Sequence, residues 1–125
     1  MSALLDTNVL LWLLAGDESR ISRSVRDRLE AIDRVAVSAA SVWEIEIKRA
    51  IGKLRAPDGV VAAIESAGFL ALPITLGDAE HAGRLPPHHR DPFDRMLIAQ
   101  ANRLDAIIAT RDTAFAAYGV DTLSA

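Results

Sequence analysis

The chain has no cysteine. That absence excludes disulfides, thiolate nucleophiles and cysteine-based zinc sites, and it fits a reducing compartment such as the cytoplasm. No segment approaches the ~18 uninterrupted apolar residues of a membrane span, and the first residues lack the basic-then-apolar pattern of a secretory leader. There is no internal repeat, no low-complexity stretch and no domain linker. Basic residues are not in excess either: 14 Lys and Arg stand against 17 Asp and Glu, a formal net charge of −3. Nucleic-acid binders usually carry a basic surplus, so the balance counts mildly against one. The distribution speaks the other way, because Lys48, Arg49, Lys53 and Arg55 cluster with no acid among them and Arg20, Arg23, Arg26, Arg28 and Arg34 crowd another segment. Carboxylates gathered at one site would also make the total negative without describing the outer surface.

What is present suits a single domain spanning 1–125. Half of the 125 residues are hydrophobic and 25% are charged, which argues against disorder. A chain of this length can bury roughly two-thirds of the surface it exposes when unfolded. Residues 2–6 read as a short buried strand, followed by an apolar helix over 7–15. Ile21, Val25, Leu29 and Ile32 recur at helical spacing, and 34–38 is a second strand. A helix from Ser38 or Ser41 runs to about Lys53. Pro57-Asp58-Gly59 breaks the chain before a short helix, 60–66, closed by Gly68. A third strand over 69–74 has Pro73 near its end, which suits an edge. Helices over 77–85 and 93–104, a fourth strand over 106–110, a short helix over 112–118 and a last strand over 120–123 complete the pattern. The alternation predicts an α/β fold, with a twisted, mostly parallel sheet of four to five short strands and helices on both faces.

Ligands of open α/β sheets bind at the carboxyl ends of the strands. Asp6 ends the first apolar run, Glu44 lies in the helix after the second strand, Asp112 follows the fourth, and Asp94 opens the helix that leads to it. Each also has a plain structural reading. Asp6 and Asp112 can cap the helices they precede. Ser41-Val42-Trp43-Glu44 matches a capping box, and Asp91 before Pro92 reads as an N-cap, with Asp94 in the same first turn. Position alone leaves both accounts open for Asp6, Glu44, Asp94 and Asp112. Three or four carboxylates held together would need a counter-charge to stay ionised. Hard oxygen donors suit Mg²⁺ or Mn²⁺, and such sites serve phosphoryl chemistry.

The motifs Leu4-Leu5-Asp6-Thr7-Asn8-Val9-Leu10-Leu11-Trp12, Ser38-Ala39-Ala40-Ser41-Val42-Trp43-Glu44-Ile45, His89-Arg90-Asp91-Pro92-Phe93-Asp94-Arg95-Met96-Leu97-Ile98-Ala99-Gln100-Ala101 and Ala109-Thr110-Arg111-Asp112 together resemble those of PIN-domain ribonucleases. They are closest to the VapC toxins of bacterial type II toxin–antitoxin modules. The resemblance covers essentially the whole chain. It implies a Mg²⁺- or Mn²⁺-dependent endoribonuclease that hydrolyses transfer or ribosomal RNA and is restrained by a VapB-like antitoxin. It also implies a homodimer in the cytoplasm that meets DNA only through the antitoxin. On the same footing, Asp6, Glu44 and Asp94 match an acidic triad and Asp112 a fourth acid, all four expected at the metal and in catalysis. Thr7 and Thr110 are supporting polar residues.

Lys48, one turn beyond Glu44, and Arg49 are candidates for contacts to RNA phosphate; the alternative is a solvated helix face. His81, His88 and His89 read as ordinary polar residues, with a minor alternative in which the His88-His89 loop touches substrate phosphate. Trp12 and Trp43 read as core or interface anchors, since the apolar helices offer more surface than a small sheet hides. Two other readings compete. An Asp-based phosphotransfer domain would want a second acid two residues after Asp6, where Asn8 stands, and a late lysine that is missing. A non-catalytic module holding RNA or a protein would have no need of four acids.

Overall fold

The computed structural model describes residues 1–56 and 58–125; Pro57, which the sequence places in a chain break, lies outside them. Five strands form one sheet: β1 (Ser2–Leu5), β2 (Arg34–Ser38), β3 (Leu70–Leu72), β4 (Ile107–Thr110) and β5 (Thr122–Ser124). They lie in the order β3-β2-β1-β4-β5, and every neighbouring pair is parallel. The crossovers carry helices α1 (Thr7–Ala15), α2 (Arg23–Glu30), α3 (Ala39–Ala50), α4 (Val60–Ser66), α5 (Leu76–Arg84) and α6 (Pro92–Leu104), and a 3-10 helix, Thr113–Tyr118, joins β4 to β5.

The two-residue period of a strand divides the core. Ala3 and Leu5 of β1 face Val9, Leu10, Val25, Leu29 and Ile64 on one side of the sheet. Leu4 points the other way, toward Leu97, Ile98, Ile108 and Phe115. These leucines are fully buried, and each contributes roughly 1.5–3 kcal/mol relative to exposure. A slip of one residue would exchange the two faces, so burial fixes the register and with it the position of Asp6, the first residue past the strand.

The third strand is shorter than the sequence suggests, Leu70–Leu72 in place of 69–74, because β3 is an edge strand and Pro73 ends its ladder. Gly68 follows α4 with φ +81°, the left-handed conformation that glycine adopts without a Cβ clash. The path of the chain decides where a ligand site can form. It runs from β1 outward through β2 to β3, then returns to β4 on the opposite side of β1. The β1/β4 boundary is therefore the point where strand order reverses, and a crevice opens there at the carboxyl ends.

Candidate functional site

The four acids come near enough at that crevice to act on one another electrostatically; among the described residues, Asp94 and Asp112 bring ligand atoms within 4.8 Å of each other and of His89, a group that does not include Asp6 or Glu44. Asp6 leaves the end of β1, its backbone N–H donating to Ala109 O of β4 at 3.1 Å. Asp112 follows β4 by two residues, Asp94 sits in the first turn of α6, and Glu44 faces inward from the middle of α3, only 4% exposed. Their charges act on one another. Asp6 feels the repulsion of Asp112 and Glu44, and Asp94 that of Asp91, Glu44 and Asp6.

Capping does not compete with this arrangement. Asp6 caps α1 by accepting from Val9 N through Oδ1 at 2.8 Å, while its Oδ2 accepts from the Thr110 hydroxyl at 2.5 Å. Asp112 accepts from Ala114 N through Oδ1 at 2.9 Å, and its own N–H donates to Thr110 Oγ1 at 2.9 Å. Thr110 thus ties Asp6 and Asp112 together from the end of β4. Thr7 does the same for Glu44, donating to Oε1 at 2.5 Å and lying 3.1 Å from Ser41 Oγ. Asp91 is the N-cap of α6, accepting from Phe93 N and Asp94 N with Pro92 as the first helical residue. The capping-box reading of Glu44 is overturned. Helix α3 starts three residues earlier than that box requires, with Ser38 Oγ accepting from Ala40 N at 3.0 Å, so Glu44 is too deep in the helix to reach back.

Burial and the repulsion of neighbouring acids make Asp6 and Asp94 reluctant to ionise. Desolvation pushes the Asp6 carboxyl up, opposed by its bonds to Thr110 and Val9 and reinforced by Asp112 and Glu44. Desolvation and the Asp91 charge push Asp94 up to about 7, against the pull of His89. A cation is what such a cluster calls for. The donors are carboxylate oxygens with no thiolate in the chain, the set that suits a hard divalent ion. The residues therefore fit Mg²⁺ or Mn²⁺.

Two basic side chains share the site. Lys48 Nζ lies 2.7 Å from Glu44 Oε2, and that bond, with the charges of Asp91 and Asp94, raises its pKa. Its side chain remains 45% exposed. Arg49 points elsewhere, pairing with Glu46 and Asp58 at 3.4 Å. His89 is not an ordinary loop residue. Its Nε2 stands 2.8 Å from Asp94 Oδ2 and 3.1 Å from Asp112 Oδ2. Arg95 also has a role that sequence reasoning missed. Its guanidinium donates to the carbonyls of Ala82 at 2.9 Å and Leu85 at 2.8 Å, and to Pro86 and His89 at 3.2 Å. It closes the carboxyl end of α5 and ties down the loop that carries His89. The available signal was the setting of His88-His89-Arg90-Asp91 between Pro87 and Pro92, which leaves that loop few conformations. Trp43 is 62% exposed with its ring edge-on to Phe93 at 5.3 Å, so it is not a core anchor. Trp12 is half-buried beneath the Arg111 guanidinium at 4.4 Å.

A model of the PIN domain family matches residues 3–121. No curated protein matches in sequence. Solved structures do match in fold. VapBC2 from Rickettsia felis, bound to a fragment of promoter DNA, aligns with a TM-score of 0.72 and 12% identity, covering 98% of each chain. DNA-bound VapBC from Salmonella typhimurium aligns with a TM-score of 0.72 and 19% identity over 98% of this chain and 97% of that one. VapC20 of Mycobacterium tuberculosis, a toxin that cleaves the sarcin-ricin loop, aligns with a TM-score of 0.67 and 17% identity over 94% and 95%. At these identities the likeness is one of fold.

Proposed function

The chain belongs to the PIN domain family, and on that premise we propose that it is a Mg²⁺- or Mn²⁺-dependent endoribonuclease, the toxin of a VapBC-type toxin–antitoxin module. The observation that carries this reading is the convergence of Asp6, Glu44, Asp94 and Asp112 on the β1/β4 crevice, where burial and the neighbouring carboxylates, Asp91 first among them, push Asp94 up to about 7. Residues 1–125 act as one PIN-like domain.

Asp6, Asp94 and Asp112 would hold the ion, with Glu44 completing the set. A bound divalent ion supplies neutralisation of the carboxylates and stabilisation of the charge that develops on a phosphodiester. The reaction is hydrolysis by water, not attack by the ribose hydroxyl. Glu44, bonded at one oxygen to Thr7 and at the other to Lys48, would either complete the ion's ligand set or position the attacking water as its base. Thr110 fixes the second oxygen of Asp6 and the backbone of Asp112. Lys48, half-exposed at the rim, meets a phosphate of the RNA. Arg49 lies farther along the same helix, where it serves affinity for the strand. Transfer and ribosomal RNA are the substrate classes, the second in keeping with the neighbour named for cleaving the sarcin-ricin loop.

The partner is a VapB-like antitoxin, as in the neighbouring VapBC complexes, with DNA reached only through it. Exposed Trp43, Val61 and Leu70 leave apolar surface to cover, and an antitoxin segment and a second copy of the chain, in a homodimer, are the proposed occupants. No helix among the described residues is long and apolar enough to cross a membrane, and the cytoplasm is the proposed site of action. Induced expression in bacteria with mapping of new RNA ends tests the function. Growth arrest with discrete cuts is expected from wild type and not from Asp6→Ala. Cleavage undiminished in Asp94→Asn would overturn the assignment.

A further inference from the structure

His89 joins Asp94 and Asp112 in a cluster whose ligand atoms all lie within 4.8 Å of one another, and at first sight the imidazole is a third metal ligand. The hydrogen bonds around the ring argue otherwise. A neutral imidazole has one bare nitrogen and one that carries hydrogen, and whatever binds the first fixes the second. The Asp91 backbone N–H donates to His89 Nδ1 at 3.3 Å. Nδ1 is therefore the bare nitrogen, and the hydrogen is on Nε2, which faces Asp94 Oδ2 and Asp112 Oδ2. An Nε2 that carries hydrogen has no lone pair to give a cation. Freeing it would put a second hydrogen between Nδ1 and the Asp91 amide, two donors face to face.

The loop is built to hold this orientation. His89 N donates to the Tyr118 hydroxyl at 2.8 Å, and that hydroxyl in turn donates to Pro86 O at 2.6 Å. Arg95 holds His89 O from the other side at 3.2 Å. The ring stands edge-on to Phe115 with centroids 5.9 Å apart. Both backbone polar groups and both ring nitrogens thus have partners, and the ring packs against Phe115.

Resting on the reading of the four acids as a metal site, we propose that His89 is a positioning residue, a fixed Nε2–H donor that holds Asp94 and Asp112 in one orientation, and not a metal ligand. The donor set left to a cation is then oxygen alone, which favours Mg²⁺ and Mn²⁺; a nitrogen ligand would tilt the site toward Zn²⁺.

Long-range ¹H–¹⁵N spectra of the metal-free protein at alkaline pH, where imidazole is neutral, read the tautomer, with the His89 signals assigned by their loss in His89→Gln. A protonated Nε2 and bare Nδ1 are expected; the opposite tautomer overturns the proposal. Calorimetric titration with Mn²⁺ and with Zn²⁺ then separates the two roles. His89→Ala is expected to weaken both ions by about tenfold or somewhat more, the usual effect of losing a partner that orients a ligand. Their ratio should be unchanged, and His89→Gln, which offers an amide N–H, should recover most of the loss. A Zn²⁺ affinity that falls much further than that for Mn²⁺, or no change in either, overturns it. If the wild type takes up neither ion, the metal-site reading is what fails, and the tautomer still decides whether His89 is the donor described here.

Discussion

Asp94→Asn exposes how much the acid cluster costs the folded protein without a cation. The Asp94 carboxyl has its ordinary value of 3.8 in the unfolded chain and about 7 when folded. The folded protein therefore holds a proton that the unfolded chain releases, and this uptake stabilises it. The contribution is full below the unfolded value and is lost as pH rises through the folded one. Between pH 5 and pH 8 the loss comes to about 2–3 kcal/mol, at about 1.4 kcal/mol for each pKa unit. The side chain is 19% exposed, and partial screening lowers the figure to about 2 kcal/mol. Asparagine keeps the shape and never ionises. Urea unfolding with chelator present is the assay, run on both proteins at both pH values. Wild type should lose about 2 kcal/mol relative to Asp94→Asn on going from pH 5 to pH 8. Asp6, whose carboxyl is also pushed up, is present in both proteins and largely cancels in the difference. Mn²⁺ at about a hundred times its dissociation constant should return about 2.7 kcal/mol to wild type at pH 8. A gap between the two proteins that is the same at pH 5 and pH 8 would refute the reasoning, because Asp94 would then be an ordinary ionised carboxylate with no need of a counter-charge.

Thr110→Val keeps the strand-forming shape but removes the donor to Asp6 and the acceptor for Asp112 N; Mn²⁺ affinity should fall by about ten- to a hundredfold in a calorimetric titration. Arg95→Ala strips the last carbonyls of α5 and the His89 loop of their shared donor, and should cost about 2–3 kcal/mol in urea unfolding. Arg95→Lys should recover little of it, since one ammonium cannot reach so many carbonyls in a plane. Asp105 closes α6 in the left-handed region at φ +52°, so Asp105→Gly should raise stability by about 0.5–1 kcal/mol in the same assay.

The fold was largely legible because its signals are local. Leu4 and Leu5 alternate between two buried faces, α1 begins and ends where Asp6 and Gly16 place it, and Asp91-Pro92 marks the start of α6. Where two signals competed, the weaker motif misled. Ser41 to Glu44 has the spacing of a capping box, yet Ser38 takes the cap because it lies at the end of β2, where the backbone is still extended. Spacing made the acids legible as residues but not as a site, since nothing in the positions of Asp6, Glu44, Asp94 and Asp112 says that β4 returns beside β1; the motif resemblance alone grouped them. His89 and Arg95 were the least legible. Their roles depend on the path of the loop from Leu85 to Asp91, and no periodicity reports a loop's path.

The choice between cap and ligand, which position in the sequence left open, rests on a false opposition. A carboxylate has two oxygens. Asp6 gives Oδ1 to the first turn of α1 and turns Oδ2 toward the crevice, and Asp112 divides its oxygens in the same way between Ala114 N and His89. The backbone bond fixes the rotamer, so the second oxygen arrives with little left to order. A helix N-terminus also favours the charged form of the acid that caps it, against the burial that disfavours it. Strand ends at a switch point followed by helix starts thus supply, from backbone geometry alone, several places where an acid is both tolerated and aimed. Glu44 lacks that support, being in mid-helix on a longer side chain, and it alone among the four is held at both oxygens by side-chain partners, Thr7 and Lys48. The difference suits the proposed division of labour: Asp6 and Asp112, fixed by backbone bonds, would serve as ion ligands, and Glu44, held by side chains, would complete the set or act on water.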